Sequence, residues 1–269
     1  YLSAARSSGY SGLTPGRFLL PGDLEGSPVL TFAPLPPENK PKKGSLWYEM
    51  QRRFTAYKRH VVRPFFKNHF ARIDRQIVLV DVLDALHRGP SAIADLRQTM
   101  SDVLTAFRPG INGPLGRLIR GTRVERIIFA ATKADHLHHS QHSALTAIMQ
   151  ELTDDAARNA QFRGAQTMAL SLASVRSTTE EQRHHDGRWI DCVRGSDLGT
   201  RKQTAYFAGD LPSNPKIFLN QDQNEMEKWL DADFGSMRFA PPPHALRQDQ
   251  GIAHIRLDKA AQFLFGDRL

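Results

Sequence analysis

Arg126-Ile127-Ile128-Phe129-Ala130-Ala131-Thr132-Lys133-Ala134-Asp135 is an apolar run that ends abruptly in a lysine and a carboxylate. Ile127 to Ala131 is too short for a helix and starts with β-branched and aromatic residues, which suits a strand covered on both faces in a parallel sheet. In open α/β sheets ligands lie outside the carboxyl ends of the strands, so Lys133 and Asp135 fall where a ligand would sit.

Two further runs extend the α/β pattern. Gln76-Ile77-Val78-Leu79-Val80-Asp81 is apolar and closed by an aspartate, as in a buried parallel strand that delivers a magnesium-proximal carboxylate. Met168 to Val175 reads as a third strand, with Ala173 and Ser174 small enough for backbone N–H groups to approach a ligand.

Thr132-Lys133-Ala134-Asp135 resembles the Asn/Thr-Lys-x-Asp motif with which P-loop GTPases recognise guanine. A carboxylate accepts hydrogen bonds from guanine N1–H and the exocyclic amine together, whereas adenine has no such donor pair on that edge. Asp135 would select the base, and the alkyl stem of Lys133 would lie along it. More specific is the ordered set Pro15-Gly16-Arg17-Phe18, Pro21-Gly22, Asp81-Val82-Leu83, Phe129 to His136, Leu172-Ala173-Ser174-Val175-Arg176, His254-Ile255-Arg256-Leu257-Asp258 and Gly266-Asp267. On these the chain resembles the YcjX-like family of bacterial P-loop GTPases. The resemblance implies a Ras-like, three-layer P-loop NTPase fold with a mainly parallel sheet, GTP or GDP with Mg2+ as cofactors, and a role in bacterial stress response. By the same resemblance Thr132, Lys133, Asp135, Ala173 and Ser174 would hold the nucleotide base and Asp81 the metal.

No Gly-x-x-x-x-Gly-Lys-Ser/Thr occurs, and the first residue is Tyr1. Either the chain is no P-loop enzyme or the segment carrying the loop lies outside it; the lack of an initiating Met favours the second reading. On that reading the P-loop strand is absent, residues 1–269 form one partial GTPase-like domain, and the Asp81 and Asp135 strands stand two spacings apart, roughly twice 4.8 Å, because the Ras-like order puts the P-loop strand between them. The residue three after Asp81 is Asp84, where most Ras-like GTPases have a glycine that senses the γ-phosphate. This implies slow hydrolysis or a rewired switch, and no residue presents itself as the catalytic base.

Composition sets broad bounds. The chain has 269 residues, 40% of them hydrophobic, enough for one substantial α/β domain. No run approaches the roughly 20 apolar residues of a membrane span, and no signal-peptide pattern opens the chain, so a cytoplasmic protein is expected. Cys192 is the single cysteine, which excludes an intrachain disulfide and a multi-cysteine metal site. A net charge of +8 favours acidic partners such as nucleotides, nucleic acid or an anionic membrane.

Residues 1 to 44 are interrupted by Gly and Pro, with Val29 to Ala33 as the one strand candidate. Ser45 then caps a helical stripe of Trp47, Met50, Phe54, Tyr57, Val61 and Phe65, which Pro64 should kink near Val62. The opposite face carries Arg52, Arg53, Lys58, Arg59, Arg63, Lys67 and Arg72. We expect the aromatic stripe to pack on the sheet and the basic face to meet water; exposed aromatics would favour the alternative, a scaffold that binds an anionic membrane or nucleic acid. Helices follow after Pro90 and from the histidine-rich stretch past Asp135, the second continuing through Leu145, Ile148, Met149, Leu152 and Ala156 until Gly164 ends it. His138 and His142 share a helix face and form a candidate metal pair, which lacks obvious further ligands. Residues 177 to 215 read either as an insertion that offers a partner-binding surface, for example to a protein effector, or as a small β-extension that shields a sheet edge, with a hairpin tip at Arg183 to Gly187, and Leu257 to Phe265 reads as a final helix.

Overall fold

Alternation along β2 (Arg126–Ala131) splits its side chains between two cores. Ile127, Phe129 and Ala131 enter one buried cluster, and Ile128 and Ala130 enter another on the opposite face. The computed structural model describes residues 24–33, 35, 42–69, 72–106, 123–212, 214–218, 237–242 and 251–269. Several expectations fall outside them, among them the Pro15-Gly16 and Pro21-Gly22 motif and the basic stretch from Leu115 to Arg120.

Three strands run parallel in the order β1 (Arg75–Val80), β2, β3 (Gln166–Ser171). Helices cover both faces. The larger cluster joins the sheet to α3 (Val82–Arg88), α4 (Pro90–Ala106) and α5 (His142–Phe162) through Leu86, Ile93, Leu145, Ile148 and Met149. The helical stripe expected after His142 is therefore the buried face of α5. Gly164, at φ +92°, ends it where a side chain would be strained. On the other face α6 (Leu257–Phe265) buries Ala260 and Leu264 against Ile128, Ala130 and Leu170.

The expected gap between the Asp81 and Asp135 strands does not exist. β1 pairs directly with β2, with Arg75 opposite Arg126 and Val80 opposite Ala131. The ladder is continued at both ends, by Glu125 N–H to Asp74 O at 2.8 Å and Thr132 N–H to Val80 O at 2.8 Å. Buried amides and carbonyls must be paired, and an unbroken ladder satisfies every group that a separating strand would otherwise have taken. The Asp81 strand thus does not stand where the resemblance puts a magnesium-proximal strand. Nor is β1 covered on both faces: Ile77 and Leu79 are 36% and 61% exposed, on the face that α6 reaches only over β2 and β3.

The amino-terminal expectations also change. Val29 to Ala33 is no strand; Pro28–Leu30 forms a 3-10 turn capped by Ser27, since Pro28 has no N–H to give a ladder. Ser45 does cap α1 (Leu46–Tyr57), its hydroxyl accepting from Tyr48 N–H at 3.2 Å. Before Pro64 the helix widens to a π-turn over Lys58–Val62 and resumes as α2 (Arg63–Asn68), which accommodates the proline ring. Neither α1 nor the π-turn buries a residue. The aromatic stripe does not pack on the sheet among the described residues. Phe54 and Tyr57 instead meet Phe32, each with ring centroids 5.3 Å apart, and Leu46, Tyr48, Phe54 and Phe65 stay exposed.

A second, antiparallel sheet joins β4 (Thr178–His185), β5 (Arg188–Ser196) and β6 (Gln203–Tyr206). Asp186-Gly187 turns its hairpin with positive φ at both positions, the geometry that matches strand twist. Phe239 lies against Gly195 of β5, Tyr206 of β6 and His136, so this sheet is anchored beside the carboxyl end of β2.

Candidate functional site

Beyond Ala131 the chain leaves the sheet through Lys133, whose φ of 61° and ψ of 31° are left-handed. For a residue with a Cβ this costs about 1–2 kcal/mol and persists only where surrounding contacts enforce it. Here Thr132 is tied to Val80 O through both its N–H and its hydroxyl, and Ala134 N–H donates to Leu172 O at 3.1 Å. Two fixed neighbours leave Lys133 no other path. We predict that Lys133→Gly leaves stability unchanged or raises it by up to about 1 kcal/mol while it weakens ligand binding, a divergence that thermal unfolding and equilibrium binding read side by side.

The turn places Asp135 on a short 3-10 segment, Ala134–His136, with only 6% of its surface exposed. Asp135 Oδ2 accepts from Ser177 N–H at 2.9 Å, and its backbone carbonyl accepts from the Thr178 hydroxyl. Among the described residues nothing else engages the carboxylate, so Oδ1 is left as an acceptor. Lys133 Nζ meets Asp81 Oδ2 at 2.6 Å, with the lysine side chain 39% exposed. Asp81 Oδ1 in turn caps α3 by accepting from Asp84 N–H at 3.1 Å. Asp84, in the first turn of α3, pairs with Arg88 at 2.8 Å. The amide of Asp84, which stands where most Ras-like GTPases have a phosphate-sensing glycine, is engaged in this helix cap.

The third strand meets the site differently from expectation. Ala173 N–H donates to Ile255 O at 3.1 Å and Ile255 N–H returns to Ala173 O at 2.8 Å, so the Ala173 amide is spent on a bridge. Ser174 is exposed beside it. Lys133 and Asp81 are paired at the ends of β1 and β2, Thr132 is bonded to the end of β1, Asp135 follows on the same turn with its carboxylate held by Ser177, and Ala173 and Ser174 come just past the end of β3.

His142 is no partner of His138. It is buried at the first position of α5, and its Nε2–H donates to Ala134 O at 2.8 Å and Leu137 O at 3.3 Å. That clamp fixes both ends of the turn that carries Asp135. Ser171 completes the support: its hydroxyl donates to His142 O at 3.1 Å and receives the guanidinium of Arg256. Spacing alone showed only two histidines four apart. The carbonyls that His142 holds, and the Ser177 amide that holds Asp135, carry no sequence signal because they are backbone groups.

Burial pushes the His142 imidazole below its ordinary range, and nearby Arg256 adds to this, against the backbone hydrogen bonds and Glu180. A depressed imidazole favours the neutral form in the folded state, so its contribution to stability is complete above the unfolded-state value of about 6.5 and is lost as pH falls below it. We predict that the unfolding midpoint drops between pH 7 and pH 5.5, and that the drop is smaller in His142→Gln. His136 is likewise held down, first by burial and then by Lys133, against the charges of Asp135 and Asp81.

A parallel sheet with helices on both sides, and with a left-handed lysine and a buried carboxylate just past the carboxyl end of its middle strand, defines an α/β protein whose charged residues lie at the edge where such sheets bind ligands. Within that class, the chain belongs to the YcjX-like family, DUF463, whose model matches residues 1–269. It is 35% identical over 279 residues to the Ras-like GTPase YcjX of Escherichia coli (strain K12), covering 100% of this chain and 57% of that protein. To the Ras-like GTPase YcjX of Shewanella oneidensis it is 31% identical over 271 residues, 97% of this chain and 54% of that protein. The chain spans about half the length of the curated relatives it matches. No helix among the described residues is long and apolar enough to cross a membrane.

Proposed function

We propose that this chain is the base-recognition part of a GTP-binding protein of Ras-like type, which hydrolyses GTP as a whole. The single observation that carries the reading is Asp135: a carboxylate buried at the end of β2, one oxygen fixed by Ser177 N–H and the other unengaged among the described residues. Such an acceptor is matched to the adjacent donors of guanine, and a low-dielectric surrounding strengthens charge-assisted hydrogen bonds to them. Lys133, partly exposed and paired with Asp81, would lay its alkyl stem along the base, and Thr132 braces the turn. Ala173 and Ser174 would serve as a wall for the base, Ala173 being buried and Ser174 the exposed one of the two.

Phosphoryl transfer depends on positioning and electrostatic stabilisation of the phosphates. We place those contacts in the share of the relatives' length that this chain does not match. Magnesium would accompany the phosphates. Asp81 is the carboxylate here nearest to serving it, and it would first have to exchange its ion pair with Lys133. Residues 177 to 215 we read as an insertion on this core, with the antiparallel sheet as a surface for a protein effector.

Equilibrium competition of GDP, ADP and XDP for the full-length protein tests the proposal. Guanine should be preferred over adenine by more than about 100-fold, since adenine leaves the buried carboxylate without donors. Equal affinities would overturn it.

One observation favours the other reading, a basic scaffold for an anionic membrane or nucleic acid: Leu46, Tyr48, Phe54 and Phe65 are exposed on the helical segment that carries Lys58, Arg59 and Arg63. Against it, Glu49 neutralises Arg52 and Arg53 at 2.9 and 2.8 Å. Co-sedimentation with phosphatidylserine vesicles or with RNA, reduced by Lys58→Glu and Arg59→Glu, would sustain that reading; no co-sedimentation would dismiss it.

A further inference from the structure

We propose that His138, His139 and Glu180 form a binding site for a divalent transition metal of the zinc type, separate from the nucleotide site. One donor atom from each lies within 4.8 Å of the other two. Glu180 Oε2 stands at the centre, 2.6 Å from His139 Nδ1 and 3.7 Å from His138 Nε2. Donors that share a tetrahedral zinc lie about 3.4 Å apart, given bonds near 2.1 Å, so the first distance must open and the second close by less than about 1 Å. Two imidazole nitrogens and a carboxylate oxygen are a donor set that zinc takes with a fourth position left to water, and the exposure of His139 leaves that position open.

The surroundings already orient each ligand. His138 Nδ1 lies 2.9 Å from Ser140 Oγ and 3.5 Å from Asp191 Oδ2. These contacts are favoured over the long 3.4 Å approach of Ser140 N–H and put the ring proton on Nδ1, which turns the Nε2 lone pair toward Glu180. A carboxylate behind a ligating histidine is the usual second partner in zinc sites, and it raises the basicity of the ligand. On the acidic side Arg176 holds Glu180 Oε1 at 2.8 Å, which leaves Oε2 for the ion. That guanidinium also lowers the affinity below that of a closed structural site.

The ligands come from two segments that are far apart in the sequence. His138 and His139 follow the Asp135 turn, and Glu180 lies on β4 two residues past Thr178, which bonds the Asp135 carbonyl. A bound ion would cross-link the turn to the antiparallel sheet.

Zinc titration of the chelator-treated chain, in competition with a chromophoric chelator and without nucleotide, tests the site. One equivalent should bind. His139→Ala and Glu180→Gln should each weaken it more than about 100-fold, and Asp191→Asn, which removes only the orienting carboxylate, by about tenfold. His184→Ala, on the hairpin, should change nothing. His139 is exposed, so its loss does not threaten the fold, and circular dichroism verifies this. In a second measurement cobalt(II) should give d–d bands that Glu180→Gln abolishes. No zinc bound, or zinc binding that survives both His139→Ala and Glu180→Gln, would overturn the proposal.

Discussion

Asp135→Asn should cost the full-length protein on the order of 10³-fold in affinity for GDP and bring XDP to a comparable gain. The magnitude follows from two charge-assisted hydrogen bonds at about 1.5–3 kcal/mol each, with 1.4 kcal/mol per tenfold. The structure says which way the new amide will face. Ser177 N–H occupies the Oδ2 position and needs an acceptor, so it fixes the asparagine oxygen there. The NH2 group is then forced into the Oδ1 position, where it opposes the exocyclic C2 amine of guanine and donates to the C2 carbonyl of xanthine. A loss of guanine binding without a gain for xanthine would mean that Asp135 shapes the turn and does not read the base.

Phe129→Ala is expected to destabilise the fold by about 3–5 kcal/mol, measured by urea unfolding. Phe129 is the largest fully buried side chain among the described residues, 1% exposed, in the middle of the central strand. Its neighbours in the ladder are Val78 and Ala169, both too small to fill the space. α5 lies over the same face with Leu145, Ile148 and Met149, so removing the ring opens a cavity at the junction of sheet and helix. Leu264→Ala, in the smaller cluster under α6, should cost less, because five other buried residues share that core with it.

Local pattern was the part of the fold open to reading. The apolar run to Ala131 had to be a strand, the stripe from Leu145 to Ala156 a helix, and Arg183 to Gly187 the region of a hairpin tip, which the structure narrows to Asp186-Gly187, because each is decided by periodicity or by backbone freedom within a few residues. Strand order is not local. Val80 pairs with Ala131 across 51 positions, and nothing in either strand's own sequence names its neighbour; the expectation of a gap came from resemblance and failed there. Exposure of Ile77 and Leu79 is likewise a property of how far α6 reaches, not of β1 itself.

The candidate site divides the same way. Lys133 and Asp135 were legible because charge after an apolar strand is a local signal. The left-handed backbone at Lys133, the clamp of His142 on Ala134 and Leu137, and the bridge from Ala173 to Ile255 were not, since each depends on a carbonyl or amide brought from elsewhere. The pairing of His138 with His142 failed because the chain turns between His138 and α5, so the helical spacing does not apply; the groups beside His138 are His139 and Glu180.

The most direct test of the central claim is the imino proton of guanine itself. With 15N-labelled GDP bound to the full-length protein, the N1–H resonance should appear downfield and protected from exchange, because its acceptor is a carboxylate with 6% of its surface exposed. It should vanish in Asp135→Asn. An imino proton that exchanges as fast as in free GDP, or one that persists in the variant, would contradict the assignment of Asp135 to the guanine edge.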